Sequence, residues 1–281
     1  MNDSDHVAAD SAQGTPTLEF EGTTPYEDYV HASVLTNLQR QLSDDPGEMV
    51  FLVTAQVMEL WFKLLVHEWR AARDALYKDD LDAAMEALRR SVTSHQALND
   101  SWRPIAALTP MQFNAYRSAL GEASGFQSAM YRQLEFMLGD KSQSLLQPHK
   151  GHPRVHAELT AALAEPCLYD AALDHLHRRG LPVPEEVLHR DVTQRYTAHP
   201  GVEEAWRQVY AGPQHSPLVA LGEVLTDIAE LVWRWRNDHL LATRRAMGSK
   251  VGSGGSPGVA WLEKRATRSV FPELWTSRSH V

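Results

Sequence analysis

The chain has 281 residues, of which 43% are hydrophobic and eight are tryptophan, and its formal net charge is −9. This length suits one large domain or two small ones, and the apolar content is enough for a sizeable core. The negative charge, with no basic block large enough to cover a face, excludes a typical nucleic-acid-binding protein. The single cysteine, Cys167, excludes a disulfide framework and a thiolate metal cluster, as is typical in a reducing cytosol.

The amino-terminal segment differs in composition from the rest of the chain. Residues 1–20 are acidic, small and polar, so we predict a disordered arm followed by a single domain over residues 21–281. The first residues have neither the basic start nor the apolar centre of a signal peptide. No run of 18 apolar residues is present, so we predict no membrane span. We therefore expect a cytoplasmic protein without a membrane or nucleic-acid partner.

The first predicted helix begins after Thr24-Pro25 and continues through Leu38. Tyr26 and Tyr29 are three residues apart, so they lie on one face of this helix. Ordinary packing is enough to explain such a pair.

The longest predicted helix covers residues 48–77, and its apolar residues extend well beyond one narrow stripe. Such a helix is buried on most sides. Phe51 and Ala55 are four residues apart and therefore share a face. Glu59 is acidic within an otherwise apolar stretch, and an ion pair with a neighbouring helix is the simplest explanation for it.

Two shorter helices follow. Residues 80–100 have an amphipathic pattern, and Thr109-Pro110 places a capping threonine before a proline, which is typical of a helix start. Phe113 and Arg117 share a face of that second helix. An arginine on an apolar face is costly unless it is paired. A structural salt bridge would pair Arg117, and so would bidentate binding of a substrate carboxylate.

The region from residue 140 to 225 is rich in histidine and proline. Helices are predicted near 154–164, 166–179, 184–195 and 201–210, and we expect them to form a smaller insert beside the main bundle. His152 and His156 are four residues apart, which suits a metal site on a helix. No acidic or cysteine ligand completes a recognised motif, so we predict no such site.

The segment WRWRNDHLLATRRAMGSKVGSGGSPG, residues 233–258, begins as a helix and ends as a glycine-rich loop after Gly248. His239 lies on an inward stripe whose other members are Ile228, Leu231, Trp235 and Ala242. It is either a core histidine bonded to a carbonyl or an axial ligand, since neutral imidazole binds haem iron. Two features favour the haem: apolar walls from Trp233 and Trp235, and arginines for the haem propionates, namely Arg234, Arg236, Arg244 and Arg245.

Four separated motifs resemble, in the same order, those of the tryptophan 2,3-dioxygenases. The first is the tyrosine pair at Tyr26 and Tyr29, followed by Val30 where that family has leucine. The second is FLVTAQVMELWFK, residues 51–63, with HEWRAARDAL after it. The third is SGFQS, residues 124–128, followed by YR and E. In the fourth, Gly248 follows His239 by nine residues, and GSGGSPG, residues 252–258, comes after it. The closing FPELW, residues 271–275, is also similar to the family's end.

The resemblance implies an all-α helical bundle around a haem b, with His239 as the axial ligand of the iron. It implies that Arg117 binds the carboxylate of the substrate and that Ser124 lies near the haem. The glycine-rich loop, with Ser253 in place of threonine, is expected near the ammonium group of the substrate.

Further residues follow from the same resemblance. Phe51, Phe113 and Leu120 are expected to line the substrate pocket. Tyr26, Tyr29 and Val30 match a segment that reaches the active site of a neighbouring subunit in the family, so we expect a homotetramer.

Ala55 departs from the family pattern, because a distal histidine occupies this position in the family. There, a ferrous haem and O2 oxidise the indole ring of tryptophan at C2 or C3, and the usual outcome is ring cleavage to N-formylkynurenine. An alanine removes a hydrogen-bond acceptor and leaves room in the pocket. We therefore expect tryptophan or a modified tryptophan, such as a β-methyl derivative, as the substrate. Monooxygenation to a 2-oxindole is an alternative, and a non-catalytic haem or tryptophan sensor is another.

Overall fold

The computed structural model describes Gly14, residues 17–250 and residues 258–280. These residues form α-helices joined by turns and short 3-10 segments, and they include no strand, which confirms the predicted all-α class. The helices are α1 (Pro25–Val30), α2 (Ala32–Leu35), α3 (Pro46–Tyr77), α4 (Leu81–Asp100), α5 (Trp102–Ala106), α6 (Pro110–Arg117), α7 (Ala129–Met137), α8 (Pro153–Ala164), α9 (Leu168–Arg178), α10 (Glu185–Leu188), α11 (Pro200–Ala211), α12 (Pro217–Met247), α13 (Val259–Ala266) and α14 (Pro272–Thr276).

Caps that are visible in the sequence set the starts of the helices that matter most for the site. The Asp45 side chain accepts a hydrogen bond from the Gly47 amide at 2.8 Å at the start of α3. Thr109 and Gln112 form a reciprocal capping box at the start of α6. Helix α12 ends at Gly248, whose φ of 61° is a conformation that favours glycine.

The prediction of a helix over residues 184–195 is wrong beyond its first turn. Helix α10 ends at Leu188. The Asp191 carboxylate then accepts hydrogen bonds from the amide and the hydroxyl of Thr193, at 2.9 and 2.7 Å. This side-chain-to-backbone turn competes with helix continuation.

The chain divides into two compact units, Met1–Arg40 and Gln41–Val281. The division falls after Arg40, whereas the predicted boundary of the arm lies at residue 20. The described part of the first unit contains α1 and α2, which are joined by His31 in the left-handed conformation with φ 52°. Tyr26 and Tyr29 are on α1 and are 68% and 88% exposed.

The second unit has one large core, in which α3 packs against α4, α7 and α9, and α12 packs against α4. Trp69 of α3 is fully buried, and its indole N–H donates to the Ser91 hydroxyl at 3.0 Å. The region predicted as a smaller insert contributes to this same core, because Leu168 of α9 and Trp206 of α11 are buried in it.

Helix α3 is long and apolar enough to cross a membrane by length and composition, and 28% of its most apolar window is buried in the structure. Core helices of globular proteins meet the same two criteria, so this finding does not by itself indicate a membrane. Part of the unburied apolar surface is a stripe that we call the α3 stripe, formed by Val50, Val53, Val57 and Leu60.

Candidate functional site

A large cavity opens between α3, α6, α7, α12 and α13 within the second unit. Its empty volume is about 1540 Å³ when the open mouth is included. This figure includes solvent space at the mouth, so it is an upper bound on the enclosed volume. Most of the lining is apolar or aromatic, and the ionisable acids, arginines and histidines among the described lining are Glu59, Arg132, Arg236, His239 and Arg265.

One wall of the cavity is a single face of α3. Phe51, Ala55 and Glu59 are spaced four residues apart, so they form one row along the helix. The ring of Phe51 lies 6.3 Å from the ring of Phe113, and the two planes are inclined at 63°. Phe51 also lies 5.9 Å from the ring of Tyr116. This end of the wall is therefore aromatic, and Ala55 is its smallest side chain.

His239 of α12 lines the same cavity and is held by aromatic rings. Its imidazole stacks on Trp102, with centroids 4.7 Å apart and planes 14° apart, and it lies 5.6 Å from the ring of Trp235. Burial lowers the pKa of His239 to about 4, so the ring is neutral at pH 7 with one nitrogen lone pair available. Neither ring nitrogen has a hydrogen-bond partner among the residues described by the structure, so the interpretation as a carbonyl-bonded core histidine is not supported.

The predicted aromatic neighbours of His239 need one correction. Trp235 is in place, but Trp233 is 53% exposed and is not part of the cavity lining. Trp102 supplies the second wall instead. Its position follows from the packing of α5 against α12, a long-range contact that the periodicity of α12 does not reveal.

Another wall of the cavity is cationic. Arg132, Arg236 and Arg265 line the cavity, and Glu135 forms hydrogen-bonded ion pairs with Arg132 and Arg265. Asp140 lies 3.4 Å from the Arg236 guanidinium and 3.3 Å from that of Arg265. Two carboxylates thus face three lining arginines, and Asp140 also pairs with Arg268 at 3.1 Å and lies 3.6 Å from Arg195. The wall carries an excess of positive charge.

Some hydrogen-bond donors of the same cavity have no partner in the described structure. Four buried donors of lining residues have no partner in the described structure, namely Nε1 of Trp102, Nε1 of Trp235, Nε of Arg132 and Nε of Arg236. Buried donors are normally satisfied, so these groups indicate a ligand with anionic acceptor atoms. Carboxylates have both the charge and the lone pairs.

Comparisons with known proteins agree with these features. The sequence profile of the family described as tryptophan 2,3-dioxygenase matches residues 10–281. The chain belongs to the tryptophan 2,3-dioxygenase family. A relative named tryptophan 2,3-dioxygenase from Polaromonas naphthalenivorans is 40% identical over 286 residues and is covered completely, as is this chain. A relative with the same name from Geobacillus thermodenitrificans is 40% identical, and the match covers 94% of this chain and 94% of the relative. Another, from Bordetella parapertussis, is 41% identical, and the match covers 94% of this chain and 93% of the relative.

Members of the tryptophan 2,3-dioxygenase family are haem-dependent oxidoreductases, and the cavity fits a haem. His239 provides a neutral imidazole without another hydrogen bond, which is the form that binds haem iron. Trp102 and Trp235 provide flat apolar surfaces beside it. The partnerless donors and the excess positive charge suit the two carboxylates of a haem.

Of the four arginines predicted to meet propionates, only Arg236 lines the cavity. Arg234 pairs with Glu230 and Arg244 pairs with Glu263, both on the exposed surface, and Arg245 is exposed. The prediction is therefore wrong for these three residues. Their spacing on α12 turns them away from the side that carries His239.

The structure brings several predicted site residues of the family together. Phe51, Ala55, Phe113, Leu120, Ser124 and His239 all line the cavity. The Ser124 hydroxyl accepts a hydrogen bond from the Phe126 amide at 3.4 Å, and the Ser124 amide donates to the side chain of Gln127 at 3.3 Å. The SGFQS motif thus folds into a locally capped turn at the rim.

Other predicted residues are not placed in the lining. Arg117 is half-buried on the last turn of α6, near Phe113 and Leu120, but it is not among the lining residues. Ser253 and the glycine-rich loop lie outside the described residues. Tyr26, Tyr29 and Val30 belong to the first unit.

The sequence indicated no ligand-binding role for Glu59, Trp102, Ser128 or the arginines of α7 and α13. The ion pair predicted for Glu59 is wrong within the described residues, where its side chain is hydrogen-bonded to Ser128. Arg132 and Glu135 were visible in the motif after SGFQS, which was the one available signal for the cationic wall. Their partner Arg265 lies 130 residues from Glu135 in sequence, and no local pattern connects them.

Glu135→Gln is expected to destabilise the protein by about 3–5 kcal/mol, because the buried Arg132 would lose its charged partner and Arg265 would keep only Asp140. The measurement is urea unfolding of the haem-free protein. The matched control is Glu263→Gln, which removes the exposed partner of Arg244 and is expected to cost at most about 1 kcal/mol. Equal stabilities of the two variants would contradict the assigned role of Glu135.

Proposed function

We propose that this protein is a haem-dependent oxygenase that uses O2 to oxidise the indole ring of L-tryptophan or of a modified tryptophan, such as a β-methyl derivative, at C2 or C3. The observation that carries the proposal is His239, a neutral imidazole that stacks on Trp102, lines the cavity and has no hydrogen bond to any described residue. Family membership supports the same activity, since the relatives are named tryptophan 2,3-dioxygenase.

The protein's own groups have distinct tasks in this proposal. Haem, when bound through His239, supplies the oxygen chemistry. Phe51 and Phe113 offer aromatic surfaces to an indole ring, and the aromatic lining excludes water. Arg117 binds the substrate carboxylate through its planar fork, and Ser253 with the glycine-rich loop binds the ammonium group. Holding both ends of the amino acid fixes the ring relative to the haem.

Ala55 supports a departure from ordinary tryptophan breakdown. It lines the cavity one helical turn after Phe51 and offers no hydrogen-bond acceptor. Loss of one neutral hydrogen bond costs about 0.5–1.5 kcal/mol, so tryptophan still binds. The extra room admits a methyl group on the substrate or a water molecule. We therefore propose, more specifically, that the substrate is a tryptophan bulkier than L-tryptophan, or that the enzyme inserts a single oxygen atom and gives a 2-oxindole.

The experiment that tests the function is mass spectrometry of the products formed from tryptophan and β-methyltryptophan under ¹⁸O2. Two labelled oxygens indicate ring cleavage, and one indicates monooxygenation. Oxygen uptake by the reduced protein is measured in parallel. Binding of tryptophan without oxygen uptake would contradict the enzymatic proposal and indicate a sensor.

Ala55→His is expected to shift preference from β-methyltryptophan toward plain tryptophan, because the imidazole fills the extra space and adds an acceptor. The expected change in the ratio of kcat/KM values is about tenfold. A competition assay with both substrates measures it. The control is Met111→His, on the exposed first turn of α6 and outside the described cavity lining, which leaves the ratio unchanged. An unchanged ratio and product in Ala55→His would show that Ala55 has no such role and that the protein is a plain tryptophan dioxygenase.

We further propose a cytoplasmic homotetramer in which the amino-terminal segment completes the site of a neighbouring subunit. The α3 stripe supports association, because its residues are 36–49% exposed and follow the alternating three-and-four spacing of helices that pack together. The exposure of Tyr26 and Tyr29 supports the role of the segment. Cys167 is buried and free, as suits a reducing compartment.

Deletion of residues 1–32 is expected to reduce turnover by about 100-fold or more while the protein keeps its haem, because the substrate would lose part of its enclosure. The measurements are turnover, haem content and mass by light scattering. Deletion of residues 1–20 is the control and keeps activity, since Tyr26 and Tyr29 remain. A monomeric and active 1–32 deletion would refute both parts of this proposal.

A further inference from the structure

Glu59 is a carboxylate in the cavity wall without a cationic partner. It lines the cavity and is half-buried, and its hydrogen-bond partner is the Ser128 side chain. No lysine, arginine or histidine of the described chain forms an ion pair with it. Burial raises the pKa of Glu59, and the hydrogen bond from Ser128 offsets this only in part. An uncompensated buried carboxylate is costly, so the arrangement indicates a ligand that donates to it.

The position of Glu59 on α3 directs it toward Ala55. Helical side chains lean toward the amino terminus and cover the preceding turn. Glu59 therefore covers the part of the wall around Ala55, in the row that begins with Phe51. Ser128 is itself fixed, because its hydroxyl oxygen accepts from the Tyr131 amide at 3.0 Å at the start of α7. A carboxylate has about four lone-pair sites, and Ser128 uses one of them.

An indole ring has a single polar group, its N–H donor. Trp102, Trp235, Arg132 and Arg236 offer only donors to the cavity, so these side chains cannot receive that hydrogen. The hydroxyls of Ser124, Tyr131 and Thr243 are neutral acceptors in the lining, whereas a carboxylate is the stronger, charged acceptor. Glu59 is the one carboxylate among the described lining residues, and it stands in the row that begins with aromatic Phe51.

We infer that Glu59 accepts the hydrogen bond of the substrate's indole N–H, directly or through one water molecule in the space beside Ala55. Glu59 thereby acts as a specificity-determining residue in place of an acceptor at position 55. This inference rests on the proposed function, because it requires that the cavity binds an indole.

The test compares the affinity of the haem-loaded ferric protein for tryptophan and for 3-(benzothien-3-yl)alanine, in which sulfur replaces the N–H. The parent protein is expected to prefer tryptophan by roughly tenfold or more, as for a hydrogen bond to a charged group. Glu59→Met removes the acceptor and is expected to reduce this preference to about threefold or less. Glu59→Gln keeps an uncharged acceptor and gives an intermediate value. Haem content confirms that each variant is folded.

Two controls separate this role from a structural one. Met58→Leu changes a neighbouring apolar lining residue and leaves the preference unchanged. Adding Ala55→His to Glu59→Met restores the preference, because the imidazole supplies a new acceptor.

The outcomes that overturn the inference are distinct from failure of the proposed function. A preference that survives in Glu59→Met overturns the inference alone. The inference is also overturned if Glu59→Met loses affinity for tryptophan but not for indole-3-propionate, which lacks the ammonium group. Glu59 would then bind the ammonium group and not the indole N–H. A parent protein that binds no tryptophan overturns the proposed function and this inference with it.

Discussion

His239→Gly is expected to abolish stable haem binding and, with it, oxygen uptake in the presence of tryptophan. The substitution removes the one neutral imidazole in the described cavity lining. It also removes the contact of the imidazole ring with Trp102 and Trp235. Haem would then be retained only by apolar contacts and by its carboxylates. The measurement is the haem absorption band after gel filtration of protein loaded with haem, together with the haem-to-protein ratio. Added imidazole is expected to restore the band, because it can occupy the space left by the side chain.

A second buried histidine provides the matched control. His95 is buried in the core, its pKa is lowered by burial to about 3, and its ring lies 5.9 Å from that of Trp69. It resembles His239 in burial and charge but does not line the cavity. His95→Gln is expected to lower stability and to leave the haem spectrum unchanged. Full haem content and an unchanged spectrum in His239→Gly would exclude His239 as the ligand.

Arg117→Lys is expected to raise the KM for tryptophan by about 10–100-fold, the range for losing a hydrogen bond to a charged group. Lysine keeps the positive charge but loses the planar fork that binds a carboxylate at two points. Arg117 lies on the last turn of α6, the helix that also carries Phe113 of the cavity lining. Steady-state kinetics of the haem-loaded protein measure the effect.

Ligands that lack the carboxylate show whether the effect comes from this contact. Tryptamine is expected to be a poor substrate for the parent, and Arg117→Lys is expected to change its kinetics little. Arg103→Lys is the control, because Arg103 is exposed and pairs with Asp100 at 3.1 Å. If the parent oxidised tryptamine as efficiently as tryptophan, Arg117 would have another role.

The sequence by itself determined the helices and the inward face of α12. Thr109-Pro110 and Gly248 are local capping signals, and each marks the observed start or end of a helix within two residues. The spacing of Trp235, His239 and Ala242 placed His239 on a buried stripe, and the structure puts all three in the cavity lining. Such features depend on residues within one or two turns of each other, so they are readable without a structure.

Only the tertiary structure decided which residues surround His239 and Ala55. The periodicity of a helix shows which face is buried, but it does not show which residue of another helix packs against that face. Trp102, and not the expected Trp233, therefore stacks on His239. Arg132 of α7 and Arg265 of α13 supply positive charge to the cavity that the sequence analysis had expected from arginines of α12.

The same reason applies to the polar groups of the cavity. Glu135 and Arg265 are 130 residues apart, and Glu59 meets Ser128 across two helices. A charged residue in a sequence shows that a partner is needed, because burial without one is costly. The sequence thus shows that the Glu59 carboxylate needs a hydrogen-bond donor. The packing of α3 against α7 determines that this donor is a single serine and that the carboxylate lies in the cavity wall.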